Sequence, residues 1–515
     1  MGLVKTRWSG PGAPYESHGW VGCDCLAVDG VVSEERLVGS SVPEGSPDNY
    51  TSRPESPAVA GLCETRVAPV EGRALKMTVI ERNEPVVSIG IDAAVVADHQ
   101  IAIRGPGVRE DFKVSPTLAG LAKLTERLSP FAGALVVVEP TAGTWLPLMM
   151  AVTESGCRIG FVHNRDSARL RSAITGRNKT DVIDADMLAR CEGVLGVADA
   201  AVPLLGQIGL RRALRRRHHL VVDAHRAECR LWSLLIWSMP DVWRNAGGHT
   251  LAQPLLGRWP DVRALGRARV ESITEIVAAH SHDRDPRRRA ERIRDAARGW
   301  HEFWIGRLDL DDLAWEIAEL CDDITLADSR QADATTHALD RWRHHWPDDV
   351  LLSIPGIGPI CASTTRAWWG DGTHLRSAKA AGAFIGLNPS NWESGLSASP
   401  SRPITKEGPA EMRLAYYQAA NVARRRDPDL AAHYRRLMCE RGHTHIQATC
   451  AVARKLASRT WKILQTGQPY QPRDLDGTPI DEATAARLAV ELEVPADQRR
   501  RNRATNPRRG RLQLT

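Results

Sequence analysis

Three aspartates fall within six positions of residues 179–190, KTDVIDADMLAR. On a helix, positions three apart lie about 60° apart around the axis and roughly 5 Å along it, so Asp181 and Asp184 share a face. Asp186 is turned about 140° or more away from both, and we expect it to be solvated. Thr180 or Asp181 can cap the helix, and first-turn acids favour its positive end. The segment predicts either a capped acidic helix start or a carboxylate pair held for binding.

Two further acids stand where strands should end. Asp92 closes the run VVSIGID, and Glu139 closes GALVVVE, which is apolar on both faces as a central strand should be. In an open α/β sheet, reactive groups gather beyond the carboxyl ends of the strands. We therefore expect Asp92 and Glu139 to be neighbours, although aspartate after a strand is also an ordinary turn residue.

Converging carboxylates repel one another unless cations neutralise them. Hard oxygen ligands of this kind suit Mg²⁺ or Mn²⁺, and two such ions about 4 Å apart can activate a nucleophile and stabilise a leaving oxygen in phosphoryl transfer. The set Asp92, Glu139, Asp181 and Asp184 predicts a site for these ions.

The elements that must position these acids form an alternating pattern. Four β-rich runs are interleaved with amphipathic stretches at residues 118–128 and 144–155, which predicts a partly parallel α/β sheet. The β-rich runs are residues 86–92, 99–105, 133–140 and 157–163. We place this first folded domain at residues 81–207, after an N-terminal extension, residues 1–80, whose Gly, Pro and Ser content predicts disorder.

Residues 208–346 have a helical pattern. A long arginine-rich helix reaches about residue 238, and a later stretch shows the alternating three- and four-residue spacing of a coiled-coil seam. The seam residues are Leu310, Leu313, Ile317, Leu320 and Ile324. They cover only about two heptads, so the seam predicts either a helix packed inside its own domain or a contact between subunits.

A third region, residues 347–471, opens with LLSIPGIGPICA. An apolar helix end, a Pro-Gly-Ile-Gly turn and a new helix resemble a helix-hairpin-helix, in which backbone amides near Gly356 and Gly358 would hold a DNA phosphate. A tight interhelical turn is the alternative. Residues 472–515 form a basic tail.

The net charge of +6 is modest, but arginine is clustered at four places. Clustered arginine suits phosphate, because the planar guanidinium forms paired hydrogen bonds. Any one cluster could be a solvated helix face, whereas all four together favour nucleic acid as the partner. The clusters begin at Arg211, Arg284, Arg424 and Arg499. Within and near them we take Arg212, Arg216, Arg217, Arg402 and Lys406 as candidates for phosphate binding.

Composition excludes a membrane protein, since no run approaches the roughly 18 apolar residues of a membrane span. The N-terminus lacks the pattern of a secretory signal, and the 10 scattered cysteines do not form a disulfide framework. We expect a cytoplasmic protein with reduced thiols.

The acids in their contexts VVVEPT and NKTDVIDADMLAR resemble the DEDD-type recombinases of insertion sequence family 110, the bridge-RNA-guided transposases. The later stretch SIPGIGP…AFIGLNPSNWESGLSASPSRPITKEGPAEMR…ARKL looks like the C-terminal transposase domain of that family. The resemblance covers about residues 85–470.

This resemblance implies a RuvC-like first domain, similar to Holliday-junction resolvases, in which the four acids hold metal ions. It also implies that a serine attacks DNA and becomes covalently joined to it. Ser394, followed by Gly395, matches the Ser-Gly motif of the family, and Ser397, Ser399 and Ser401 stand close by. The partners it implies are element-end and target DNA, a structured non-coding guide RNA and further copies of the chain, as a dimer or tetramer.

Other classes of protein share parts of this pattern. A RuvC-like nuclease or resolvase would use water as nucleophile, so that Ser394 is incidental. An actin-like ATPase or sugar kinase also opens with GID after its first strand, but it needs glycine-rich phosphate loops that the later strands lack. The four placed carboxylates argue against a non-catalytic RNA-binding protein.

Overall fold

The computed structural model describes residues 87–140, 143–162, 164–175, 180–195, 197, 199–200, 203, 205–389 and 404–504. Residues 1–80 lie outside this part of the chain. A five-stranded sheet in the order β3-β2-β1-β4-β5 opens the fold. The first three strands are antiparallel neighbours, whereas β1, β4 and β5 run parallel. The strands are β1 (Ser88–Asp92), β2 (His99–Gly105), β3 (Val108–Val114), β4 (Leu135–Val138) and β5 (Arg158–Phe161). The α/β sheet expected from the sequence is confirmed at this level.

Helices cover both faces of the sheet, as the apolar β4 requires. On one face, Val136 and Val138 pack with Leu124 and Leu148 of the first two helices. On the other face, Leu135 and Val137 pack with residues of the fourth helix. The four helices are α1 (Leu118–Leu128), α2 (Trp145–Glu154), α3 (Asn164–Thr175) and α4 (Asp181–Leu195).

Strand β3 was not expected from the sequence. It pairs with β2 along its whole length, from His99 opposite Val114 to Gly105 opposite Val108. It is an edge strand whose exposed positions carry Arg109, Asp111 and Lys113. Its charge hides it in the sequence, because the charged residues that protect an exposed sheet edge also have low β-propensity.

Two long helices, α5 (Leu205–Ser238) and α11 (Leu310–His345), pack as an antiparallel pair. Gly209 of α5 lies against Arg341, while Arg217, further along α5, donates to Thr335 of α11. Five shorter helices connect them: α6 (Pro240–Ala246), α7 (His249–Arg258), α8 (Val262–Arg267), α9 (Val270–His280) and α10 (Pro286–Trp304).

The expected coiled-coil seam is buried within this chain. Leu310, Leu313, Ile317, Leu320 and Ile324 are 0–7% exposed and belong to the core that α5, α11 and the five connecting helices form. Of the two alternatives for the seam, the structure supports a helix packed inside its own domain.

The rest of the described chain is helical and shares a core with the first half of α5, through Leu210 and Leu214. A 3-10 helix (Val350–Ser353) is followed by α12 (Pro359–Trp369), α13 (Ala378–Phe384), α14 (Ala410–Ala423), α15 (Pro428–Arg435), a π-helical turn (Arg436–Glu440), α16 (His445–Thr466), α17 (Glu482–Glu491) and α18 (Ala496–Ala504).

As far as residue 504, the expected basic tail is folded. Asn502 of α18 is buried and donates to the carbonyl oxygens of Met438 and His443, at 2.7 and 2.8 Å. The arginine cluster that begins at Arg499 is thereby held against the C-terminal domain. None of the described helices combines the length and apolar character needed to span a bilayer.

Candidate functional site

Asp92 and Glu139 end neighbouring parallel strands. The β1–β4 register pairs Ser88 with Leu135 and Ile91 with Val138, so one further step brings Asp92 opposite Glu139. Adjacent strands lie about 4.8 Å apart. Side chains alternate along a strand, so Asp92 faces the same side as Gly90, and Glu139 the same side as Val137. Both carboxylates therefore emerge on the face of the sheet that α4 covers.

Helix α4 crosses that face unusually close to β1. A Cβ added at Gly90 would overlap the backbone of Ala185 and Ala189, so only glycine permits this approach. At the far end, the Ser88 hydroxyl lies 3.5 Å from Glu192 Oε2. Residue numbers along α4 therefore decrease as those along β1 increase. About 4.4 residues of a helix cover the same length as two residues of a strand. This progression brings Asp184 level with Asp92 at the carboxyl edge of the sheet.

Helix α3 supplies a partner to two of the acids. Ser167 Oγ donates to Glu139 Oε2 at 2.7 Å, and Arg171 Nη1 donates to Asp184 Oδ1 at 2.6 Å, where the Asp184 side chain is 11% exposed. Burial, with a smaller contribution from the Glu139 charge, raises the pKa of the Cys191 thiol on α4 to about 11. The Glu139 carboxylate is therefore close enough for its charge to act on α4.

Sequence reasoning missed Ser167 and Arg171. They are four positions apart, so they share one face of α3, which follows β5 directly. That spacing was the available signal, but a serine and an arginine on a charged helix look like solvated residues until the partners are known.

The remaining acids of the 179–190 segment differ from one another. Thr180 Oγ1 accepts from the Ile183 amide at 3.3 Å and so caps α4, which leaves Asp181 exposed in the first turn. Our expectation that Asp186 is solvated is wrong. Its side chain is 17% exposed and binds Arg104 of β2 at 2.5 Å and Arg190 at 2.8 Å. Because it faces away from Asp184, Asp186 can fasten α4 to the antiparallel side of the sheet.

The donor types fit a divalent cation. Asp92, Glu139 and Asp184 offer carboxylate oxygens, which Mg²⁺ and Mn²⁺ prefer. The Arg171 guanidinium now neutralises Asp184, which is the electrostatic role that a bound ion would take. Within the described ranges, no three His, Cys, Asp or Glu side chains are close enough together to hold an ion. Binding would require the carboxylates to turn inwards from their present partners.

Ser394 and Arg402 lie outside the described residues. The chain on both sides of residues 390–403 is described, and its two ends are held together. Pro389 and Ile404 form an isolated antiparallel bridge, and the Thr405 amide donates to the Asn388 carbonyl at 2.8 Å. The Arg413 guanidinium donates to the carbonyls of Lys406 and Gly408. We call residues 386–389 and 404–408 the stem.

Lys406 is exposed in the stem and has a φ of 57°, a left-handed conformation that costs energy for a residue with a side chain. Its amide donates to the Gly386 carbonyl at 3.1 Å, which ties this strained residue to the opposite side of the stem. The stem thus presents the Lys406 side chain to solvent.

The turn around Gly356 differs from the helix-hairpin-helix expected there. The element before the turn is a four-residue 3-10 helix, and α12 begins after Gly358. Gly356 has a φ of 87°, and a Cβ added there would press on the Ala419 carbonyl and the Ala423 amide of α14. Gly356 is therefore required by packing, whereas a Cβ at Gly358 would meet open space among the described atoms.

The arginines proposed on α5 divide into two groups. Arg212 and Arg216 are exposed and four positions apart, so they share a face that phosphate can reach. Arg217 is not at the surface where we expected it. Its Nε donates to Thr335 Oγ1 at 2.9 Å, and burial lowers its pKa. Arg217 is a contact between α5 and α11.

Comparisons with known proteins relate two regions of the chain to transposase families. A DEDD transposase family model of the IS110 type matches residues 89–240, and a model described as the transposase IS116/IS110/IS902 family matches residues 348–435. An uncharacterized 43.6 kDa protein of insertion element IS110 from Streptomyces coelicolor is 25% identical over 402 residues, 75% of this chain and 96% of that protein.

Two further relatives are similar. An uncharacterized 42 kDa protein of insertion element IS900 from Mycobacterium paratuberculosis is 26% identical over 398 residues, 74% of this chain and 96% of that protein. A pilin gene-inverting protein from Moraxella lacunata is 30% identical over 125 residues, 24% of this chain and 38% of that protein.

The family model that matches residues 89–240 indicates the class of transposases with a DEDD domain, which is RuvC-like in that family, and a five-stranded sheet followed by a mainly helical region agrees with it. Two separate regions of the chain match the IS110-type family of insertion sequence transposases, and proteins of such elements align with about three quarters of it. Similarity to this family implies a DNA-cleaving and DNA-rejoining enzyme that binds DNA ends and target DNA.

Proposed function

We propose that this protein cuts and rejoins DNA through a covalent link between Ser394 and a DNA phosphate, with divalent metal ions at Asp92, Glu139, Asp181 and Asp184. The observation that carries the proposal is the register of β1 and β4, which aligns two of these acids beneath the start of α4. The serine enters from the resemblance of its Ser-Gly motif to the family. A transposase needs both a cutting and a joining step, which one covalent intermediate supplies.

In the cutting step, the Ser394 hydroxyl loses its proton as its oxygen forms a bond to phosphorus, the bond from phosphorus to a deoxyribose oxygen breaks, and that oxygen takes up a proton. In the joining step, a deoxyribose hydroxyl of another DNA end attacks the same phosphorus and releases the serine. When bound, Mg²⁺ or Mn²⁺ would stabilise charge on the phosphate oxygens. Ser167 holds the Glu139 carboxylate, and Arg171 holds that of Asp184.

The choice of DNA is also part of the proposal. We propose that a structured RNA from the element selects donor and target DNA, and that several copies of the chain assemble, with the acids and the serine of one site coming from different chains. Two separate hydrophobic cores support this division, since the core of the sheet domain shares no residue with the core that borders the stem.

The test is to incubate the protein with its RNA, element-end DNA and Mg²⁺, and to look for a covalent protein–DNA adduct on a denaturing gel. We expect wild type and the control Ser397→Ala to form the adduct, Ser394→Ala to form none, and Asp184→Asn to lose at least about 100-fold in rate. Adduct formation by Ser394→Ala would show that the nucleophile is wrongly assigned.

The second candidate function is a nuclease or resolvase in which water attacks. The same acidic edge supports it equally well, because the carboxylates would bind the same ions. It predicts DNA cleavage that survives Ser394→Ala and leaves no protein on the DNA, so the adduct gel separates the two functions.

A further inference from the structure

A cavity of about 80 Å³ opens between α14, α15 and α17, far along the chain from the acidic edge. Arg424, Arg425 and Tyr434 line it on one side, and Val490 and Glu493 on the other. We call it the arginine pocket. About 10–15 Å³ is enough for one water molecule, so the pocket admits a group of several non-hydrogen atoms.

Arg424 is buried without a carboxylate. The residue is 5% exposed, its Nε donates to Asn421 Oδ1 at 3.2 Å, and its guanidinium carbon stands 4.4 Å above the centre of the Tyr434 ring. Among the described residues, no Asp or Glu oxygen lies within ion-pair distance of it. Burial lowers its pKa, but an arginine remains charged at neutral pH. A buried charge is costly unless an opposite charge compensates it.

Two partly buried arginines of the same domain do have such partners. Arg366 donates to both oxygens of Asp349, at 2.8 and 3.0 Å. Arg459 pairs with Asp427 at 2.9 Å and with Asp429. Arg424 differs from these two arginines because no carboxylate compensates its charge, and a bound anion would do so.

The surroundings of the pocket are strongly positive. His445 Nδ1 lies 2.7 Å from the Tyr434 hydroxyl, on the ring over which Arg424 stacks. Burial, and after it the charges of Arg424, Arg499 and Arg425 in that order, lower the pKa of His445 to about 4. Glu493 is the carboxylate that raises the pKa of Arg424, and its contribution is the smallest. Three guanidinium groups thus act on one small volume, with one exposed carboxylate at its rim.

We propose that the arginine pocket binds a backbone phosphate of nucleic acid, with the Arg424 and Arg425 guanidinium groups as its ligands. A guanidinium fork fits phosphate oxygens in pairs, and the apolar wall from α17 lowers the dielectric and strengthens the attraction. The source of the phosphate, DNA or RNA, rests on the proposed function. The pocket itself rests on the uncompensated Arg424.

The test measures binding of the full-length protein to a fluorescent DNA duplex and to an RNA hairpin by anisotropy, across a series of salt concentrations. For Arg424→Gln and Arg425→Gln we expect about tenfold weaker binding to one or both nucleic acids, and a salt dependence reduced by about one phosphate contact. Arg426→Gln removes the same charge from the adjacent exposed position that does not line the cavity, and it should bind like wild type.

The nucleic acid that loses affinity is the source of the phosphate. The proposal would be overturned if Arg424→Gln bound the duplex and the hairpin as tightly as wild type. An equal loss of affinity in Arg426→Gln would also overturn it, because binding would then depend on the general positive charge of this surface and not on the pocket. A thermal melt of each variant confirms folding. As a second readout, inorganic pyrophosphate should raise the NMR-detected pKa of His445 in wild type and not in Arg424→Gln. Binding does not require Ser394, so the anisotropy result can be interpreted even if the adduct assay of the proposed function fails.

Discussion

At the scale of single residues, Arg171 is the most informative neighbour of the acidic edge. It neutralises Asp184 with one positive charge at 2.6 Å, while Ser167 occupies Glu139. An arginine in this position opposes cation binding because like charges repel. It also holds the carboxylate in place when no ion is bound.

We predict that Arg171→Gln binds Mn²⁺ about tenfold more tightly than wild type, because removing a nearby positive charge is worth roughly 1.4 kcal/mol to a cation at this range. Isothermal titration calorimetry on the full chain measures the change. The control is Arg169→Gln, which removes the same charge from a 71%-exposed side chain of α3 and should leave the affinity unchanged. Weaker binding by Arg171→Gln would mean that Arg171 mainly positions Asp184.

The four proposed acids were identifiable from sequence because acids at strand ends and three apart on a helix leave a pattern. Their partners were not, since hydrogen bonds from Ser167 and Arg171 depend on how α3 packs. The role of Asp186 was misjudged for a related reason. Helical geometry gave its direction correctly, but it could not reveal that Arg104 of β2 lies in that direction.

At the scale of elements, Gly90 sets how closely α4 can approach the sheet. A methyl group there would collide with the backbone of α4, which cannot move aside as a flexible side chain could. The height of Asp184 above the strand ends follows from this contact. The run SIGID predicted β1, but nothing in it indicated that α4 packs directly against its glycine.

We predict that Gly90→Ala destabilises the sheet domain by on the order of 3 kcal/mol, as overpacking of a tight interface does. Gly193→Ala, on the exposed side of α4 with open space around it, should instead gain about 0.5–1 kcal/mol of helix stability. Denaturant unfolding followed by circular dichroism compares the two. Equal stability of the two variants would mean that α4 does not rest on Gly90.

Strands β1, β2, β4 and β5 were predictable because apolar runs of four to seven residues between turn signals leave few alternatives. Strand β3 was not, because its charged outer face breaks the apolar pattern. The seam on α11 illustrates a general limit: a heptad pattern identifies an apolar helix face but does not identify the partner that covers it.

At the scale of the whole molecule, that face is covered by the chain itself. Ile317 is fully buried in the core between α5 and α11, whereas Trp315 on the same helix is 67% exposed. Any assembly of several copies must therefore use other surfaces than the seam.

We predict that Ile317→Asp lowers the free energy of unfolding by more than about 4 kcal/mol, because it places an unpaired charge in a core. Trp315→Asp, two positions away, should change it by less than about 1 kcal/mol. Thermal melting combined with light scattering separates stability from assembly. An Ile317→Asp protein that melts normally but has a smaller mass in solution would contradict the intramolecular seam.

The 34-residue helix α5 has a consequence for how length changes are tolerated. It spans about 50 Å, and its two halves belong to different cores, as do those of α11. Deleting one residue from its middle would turn one half by about 100° relative to the other and withdraw every core contact of one domain at once. Deleting seven would nearly restore the rotational phase, provided that α11 were shortened to match. In this pair of helices, insertions and deletions are therefore limited more by the rotational phase between the two halves than by the length of the helix.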